Sequence, residues 1–220
     1  MKTADKKQYS NSGNKYVLSE VPKEAQYILD IGCGCGDNAK ILSKNGKIID
    51  GITISDKEAA LATKYCRKVK IYDVEKGLPE GLSDNYDVII CSHILEHICY
   101  PDKLLLDIRS KMIIDKSKLI VSLPNVMQYS YRFKLMMGQF KYEDAGVMDY
   151  THFRWYTFES GKELLKKNGF NIVKAYVDGG LPGQSYLNWL PKNIQEIFKK
   201  SLHKLSPGFF GCELLYVVEI

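Results

Sequence analysis

Two short stretches of this 220-residue chain carry residue types that could do chemistry. In "YILDIGCGCG" an apolar run ends in Asp30, followed by glycines at 32, 34 and 36. Alternating glycines let the backbone turn sharply and pass close to a ligand, because positive φ is open to them and no Cβ intervenes. A helix that starts there offers unpaired N–H groups. The dinucleotide pattern for holding a pyrophosphate is G-x-G-x-x-G. Here the spacing is G-x-G-x-G, and Asp30 would repel a pyrophosphate but suit a ligand carrying an ammonium group. In "SHILEH", His93, Glu96 and His97 are spaced i, i+3, i+4, which predicts one shared face in a helical turn. His152 lies 152 − 97 = 55 residues further on. Imidazoles with one carboxylate can ligate a divalent transition metal, and His152 or His93 can equally serve as a general base without one.

The elements that must position these residues follow from the apolar pattern. Unalternating apolar runs at "QYILDIG", "KIIDGITI", "VKIYDV", "YDVIICS" and "KLIVSLP" read as central parallel strands. Helices are expected between them, at about 37–44, from Ser55 onward with Glu58 completing a capping box, and at about 101–113. Residues 125–156 break the pattern with an aromatic, basic, methionine-rich stretch. A helix returns with Thr157 as N-cap, "FNIVKAYV" is a sixth strand, "PKNIQEIFKKSLHKL" is helical and "CELLYVVEI" is a seventh strand. Repeated strand–helix alternation predicts an α/β, Rossmann-like, seven-stranded and mostly parallel sheet with helices on both faces and the last strand antiparallel. Residues 1–220 are read as one domain, with 125–156 as an insertion forming a lid on the acceptor side.

Composition excludes several classes. Hydrophobic content of 45% and charged content of 26% are those of a globular chain, and no apolar run is long enough to span a membrane. The N-terminal "MKTADKKQYSNSGNKY" lacks the apolar core of a leader, which points to the cytoplasm. Six scattered cysteines suit packing thiols rather than a disulfide framework. The net charge of +5 favours an anionic ligand, although lysines such as Lys166, Lys167, Lys199 and Lys200 read as a solvated helix face and His203 as a surface residue.

Together "LDIGCGCG", "GLPEGLSDNYDVIICSHILEH", "KLIVSLPN" and "DYTHFRWYTFESGKELLKKNGF" resemble the class I S-adenosylmethionine-dependent methyltransferases, from about residue 27 to residue 220. The resemblance implies S-adenosylmethionine as cofactor. It places Asp30 toward the methionine ammonium and Gly32, Cys33 and Gly34 around the methionine part. It gives Asp73 the adenine amino group, Val74 the adenine ring, and Ser92 and His93 the methionine side. The family usually ends its second strand with an acidic residue on the ribose hydroxyls. Thr53 stands there, and a threonine can make one hydroxyl contact but cannot chelate a diol. Two metal-dependent subgroups, the ubiquinone-pathway O-methyltransferases and the small-RNA 3′-end 2′-O-methyltransferases, carry Glu-x-x-Glu-His where this chain has His93, Glu96 and His97. By that likeness His93, Glu96, His97 and His152 are candidate metal ligands.

Within 125–156, Tyr129, Arg132, Asp149, Arg154 and Tyr156 are candidate acceptor contacts, since aromatics stack on rings and arginines hold anions. The expected reaction is O-methylation of a small polar acceptor such as a sugar, a glycan precursor or a phosphorylated metabolite. 2′-O-methylation at an RNA end is the alternative, and a non-catalytic nucleotide-binding interaction domain is the alternative of another class. Nucleic acid is the less favoured partner, no membrane span is expected, and oligomeric state is left open.

Overall fold

The computed structural model describes residues 12–180 and 189–220. The leader reading above lies, up to residue 11, outside the described residues. A seven-stranded sheet organises the molecule, in the order β3-β2-β1-β4-β5-β7-β6. Its strands are β1 (Tyr27–Ile31), β2 (Ile48–Thr53), β3 (Lys68–Ile71), β4 (Val88–Ser92), β5 (Lys118–Pro124), β6 (Asn171–Asp178) and β7 (Glu213–Glu219). The first five are parallel, and β7 runs antiparallel between β5 and β6. β1, β4 and β5 are almost wholly buried, as strands covered on both faces must be.

Helices α2 (Asp37–Lys44), α3 (Asp56–Ala62), α4 (Pro101–Ser110) and α6 (Phe158–Lys167) join the strands. α4 opens with proline at its first turn, and α6 opens with a capping box between Thr157 and Ser160. At α3, the Ser55 side chain accepts from the Glu58 N–H, but the Glu58 carboxylate turns back to Thr53 instead of serving only as the box's second arm. The remaining helices are α1 (Lys15–Glu20), α5 (Tyr129–Met136), α7 (Lys192–Leu205) and α8 (Pro207–Phe210). Two clusters form the core, one on each face of the sheet: Leu29, Ile89, Leu105 and Tyr216 belong to the first, and Ile28, Ile49, Ile90 and Leu215 to the second.

The strand order reverses between β1 and β4. At such a switch point the loops leaving the two strands diverge and open a crevice at their carboxyl ends. The loops after β1, β2 and β4, which hold the glycines, Ser55 and the histidine motif, all leave that edge. Because β7 is antiparallel, its first residue also lies there, with Glu213 opposite Pro124. Among the described residues, no helix is long and apolar enough to cross a membrane.

Candidate functional site

The glycine turn is built for close approach. Gly32, Gly34 and Gly36 have φ of +74°, +52° and +82°. A Cβ on Gly32 would lie 2.8 Å from Ile94 Cδ1, in the loop after β4, and one on Gly36 would lie 2.9 Å from Ala62 Cα. The turn therefore packs against the loop after β4 and the end of α3, and Gly36 leads directly into α2. Cys33 is buried beside Cys66, and this proximity and burial push its thiol up.

Asp30 is buried in β1, and among the described residues neither of its carboxylate oxygens has a hydrogen-bond partner. Burial pushes its carboxyl from 3.8 up to about 7, with the Asn38 amide opposing without reaching bonding geometry. A buried, unsatisfied carboxyl is costly, and an ammonium brought beside it would remove that cost. At the end of β2, the Thr53 hydroxyl donates to Glu58 Oε2 at 2.6 Å, and both side chains are buried. The sequence reading took Glu58 as a capping residue, and the five-residue step back to Thr53 is visible only once α3 has folded over the strand. Asp73 accepts from the Glu75 N–H at 3.1 Å, capping a short turn that buries Val74. Ser92 Oγ is 3.2 Å from Ser122 Oγ, and the amide of Asn14 reaches both hydroxyls and Glu213. Asn14 was missed in the sequence, although an asparagine ahead of a short helix is an N-cap signal.

The histidine motif does not form one helical face. His93 has φ of +52°, and the helical turn after it is a 3-10 turn over Leu95–His97. The left-handed residue swings the ring aside, so that His93 Nδ1 donates to Glu96 Oε1 at 3.2 Å and Nε2 to Glu213 at 3.3 Å. The His93 side chain is 43% exposed, and the two carboxylates push the imidazole up to about 10. Both ring nitrogens of His93 thus face carboxylates, and His93 stands outside the group formed by Glu96, His97 and His152.

Glu96, His97 and His152 do converge. One ligand atom from each lies within 4.8 Å of the others, and the two rings meet edge-on with centroids 4.6 Å apart. Glu96 is fully buried, with Oε1 on His93 and Oε2 without a hydrogen-bond partner among the described residues. His152 Nδ1 donates to the Val147 carbonyl at 3.0 Å, and His97 Nδ1 lies 3.2 Å from the Thr151 carbonyl. These contacts engage the Nδ1 atom of each ring. Burial lowers the His97 pKa. The long sequence gap is closed by backbone: the N–H groups of Phe153 and Arg154 both donate to the Glu96 carbonyl, at 2.9 and 3.1 Å. Asp149, buried, accepts at its carboxylate from the Thr151 N–H and hydroxyl, and so steadies the residue that holds His97, while its carbonyl accepts from the His152 N–H at 3.0 Å.

Residues 6–175 match the family described as methyltransferase domain. The chain belongs to the methyltransferase-domain family. It is 23% identical over 147 residues to a ubiquinone biosynthesis O-methyltransferase of Coxiella burnetii, covering 63% of this chain and 62% of that protein. A protein of the same name from Pelagibacter ubique is 28% identical over 164 residues, covering 71% and 66%. The match thus spans under two thirds of each relative's own length. In fold, this methyltransferase domain is similar to an S-adenosylmethionine-dependent methyltransferase of Archaeoglobus fulgidus, with a TM-score of 0.63 at 22% identity over 90% of this chain and 87% of that one. It is also similar to one from Mesorhizobium loti, with a TM-score of 0.60 at 14% identity over 93% and 96%.

The remaining candidate acceptor contacts of the methyltransferase domain are mostly committed elsewhere. Tyr156 is buried in the core, where its backbone pairs with Asn125 at the end of β5, so its ring packs rather than faces a ligand. Arg132 donates to the Met127 carbonyl and lies over the Phe209 ring, 6.3 Å from which sits Tyr129. Arg154 donates to the Cys99 carbonyl at 2.7 Å with its side chain exposed. Two surface readings also change: Lys199 is paired with Asp178 at 2.6 Å, and His203 is buried.

Proposed function

We propose that the chain transfers a methyl group from S-adenosylmethionine to a hydroxyl of a small polar acceptor. The observation that carries this reading is the orphaned Asp30 carboxyl beside a turn whose three glycines, 32, 34 and 36, all have positive φ. That combination fits a ligand that brings an ammonium and needs backbone at close range. Bound there, S-adenosylmethionine supplies an electrophilic methyl on a sulfonium. Asp30 would hold its ammonium, the turn from Gly32 to Gly34 its methionine part, and Asp73 and Val74 its adenine. Thr53 and Glu58 together would supply the ribose contacts that the strand end alone lacks.

Glu96, His97 and His152 would hold a divalent transition metal, since one carboxylate and two imidazoles suit such an ion, and the unpartnered Glu96 Oε2 fits a cation. Such an ion supplies Lewis acidity toward an acceptor oxygen. The chain's own part is to orient the three ligands. His93 fixes Glu96, Thr151 fixes His97, and the Val147 carbonyl fixes His152. With no ion bound, His152 Nε2 remains the nitrogen placed to take the acceptor's proton. Residues 125–156 would cover the acceptor and exclude water.

The name carried by the relatives, O-methyltransferase of ubiquinone biosynthesis, supports oxygen as the acceptor atom and adds a ring hydroxyl to the sugars and phosphorylated metabolites as a class to test. A labelled-methyl assay over catechols, sugar nucleotides and short RNAs tests the reading. Transfer to a small-molecule hydroxyl is expected, and transfer to RNA alone would overturn the acceptor class.

A further inference from the structure

Helix α7 is mounted with its polar side inward. Lys199, 13% exposed, pairs with Asp178 of β6, and His203 one turn later is buried. The opposite side carries Ile194, Ile197, Phe198 and Leu205, with Ile197 65% and Leu205 78% exposed. Trp189, just ahead of the helix, is 79% exposed. A surface helix normally turns its apolar stripe to the core, and among the described residues nothing covers this one.

The charge around it selects the occupant. Residues 192–205 hold four lysines and one glutamate, a net 4 − 1 = +3. Lys192, Lys200 and Lys204 are exposed. A two-fold contact between copies would lay this helix against itself and oppose lysine to lysine. An anionic surface has no such penalty. Tryptophan, phenylalanine and isoleucine flanked by lysine are the groups that enter the headgroup boundary of a bilayer.

We propose that α7 seats this chain on an anionic lipid bilayer, with Ile194, Ile197, Phe198 and Leu205 in the headgroup–acyl boundary and Lys200 and Lys204 at the lipid phosphates. The proposal stands apart from the methyl-transfer reading. Its test is sedimentation of the full chain with vesicles of phosphatidylglycerol and phosphatidylcholine, beside vesicles of phosphatidylcholine alone. Binding is expected only to the anionic vesicles and should weaken with salt. Lys200→Gln with Lys204→Gln should lower vesicle affinity by about 25-fold, at about fivefold per lysine. Ile194→Ser with Phe198→Ser should lower it at least as far. These side chains are exposed, so thermal melting and S-adenosylhomocysteine affinity should match wild type in both variants. No binding to anionic vesicles, or binding that neither variant weakens, overturns the proposal. A concentration-dependent dimer that Phe198→Ser dissolves, without vesicle binding, would make the face a self-interface and also overturn it.

Discussion

The hydroxyl of Thr53 donates to Glu58 Oε2 at 2.6 Å, so a buried carboxylate stands beside the end of β2 although none belongs to the strand. Helix α3 delivers it from five residues downstream. If this pair holds the ribose, charge at Glu58 matters more than its shape. Glu58→Gln should weaken S-adenosylhomocysteine binding by about tenfold, the usual value of a hydrogen bond to a charged group, as read by calorimetry. Thr53→Val should do the same and also remove the Thr53 hydroxyl that donates to Glu58. Unchanged affinity in both variants would remove the pair from the site.

Asp30 makes stability and binding pull in opposite directions. Its carboxyl is raised from 3.8 to about 7 by burial. Below 3.8 the folded and unfolded chains both carry the proton, and the group adds nothing that changes with pH. Between 3.8 and about 7 only the folded chain holds it, so the ligand-free protein loses stability as pH rises through that window. Asp30→Asn removes the ionisable group and should raise the melting temperature at pH 8 while abolishing S-adenosylhomocysteine binding. In the wild type, affinity for S-adenosylhomocysteine should rise as pH rises through about 7, because the ammonium needs the ionised carboxylate. Melting curves and titrations over pH 5–8 check both signs.

Glu96, His97 and His152 should fail as a unit. His152→Ala and Glu96→Gln should each lower bound metal, measured by mass spectrometry, together with methyl transfer, while S-adenosylhomocysteine still binds. Asp149→Asn removes the carboxylate that holds Thr151, which in turn holds His97, and should cost roughly tenfold in metal affinity, the range of an outer-shell change. Full activity after chelation would leave His152 as a metal-free base, and its variant alone would then be inactive.

Gly36 has φ of +82° and faces Ala62 Cα, 2.9 Å from where a Cβ would sit. Because the obstacle is backbone, Gly36→Ala must move α3 or the turn. It should lower stability by about 1–3 kcal/mol, seen as a shifted denaturation midpoint, and weaken cofactor binding with it.

The parallel sheet was legible because strands buried on both faces leave unbroken apolar runs, and "YILDIG" through "KLIVSLP" are such runs. α5 was not, since none of its residues is buried and its sequence bears no apolar face. In the site, Asp30 and the glycines could be read because backbone geometry demands those residue types. The convergence of His152 with Glu96 and His97 matched the residue types, but the exclusion of His93 turns on one left-handed φ that spacing does not encode. Tyr156 read as a ligand contact from its basic, aromatic surroundings, and its pairing with Asn125 buries it instead. Glu58 read as a cap because its position fits one, and its tie to Thr53 depends on tertiary packing.

The central claim is that Asp30 and the glycine turn hold S-adenosylmethionine by its ammonium. Titration calorimetry of the full chain at pH 8 with S-adenosylhomocysteine, beside Asp30→Asn and beside NAD, tests it most directly. The account predicts saturable one-to-one binding of S-adenosylhomocysteine to the wild type, no binding to Asp30→Asn, and no heat with NAD. Binding of NAD in its place, or S-adenosylhomocysteine binding that Asp30→Asn leaves intact, would contradict it.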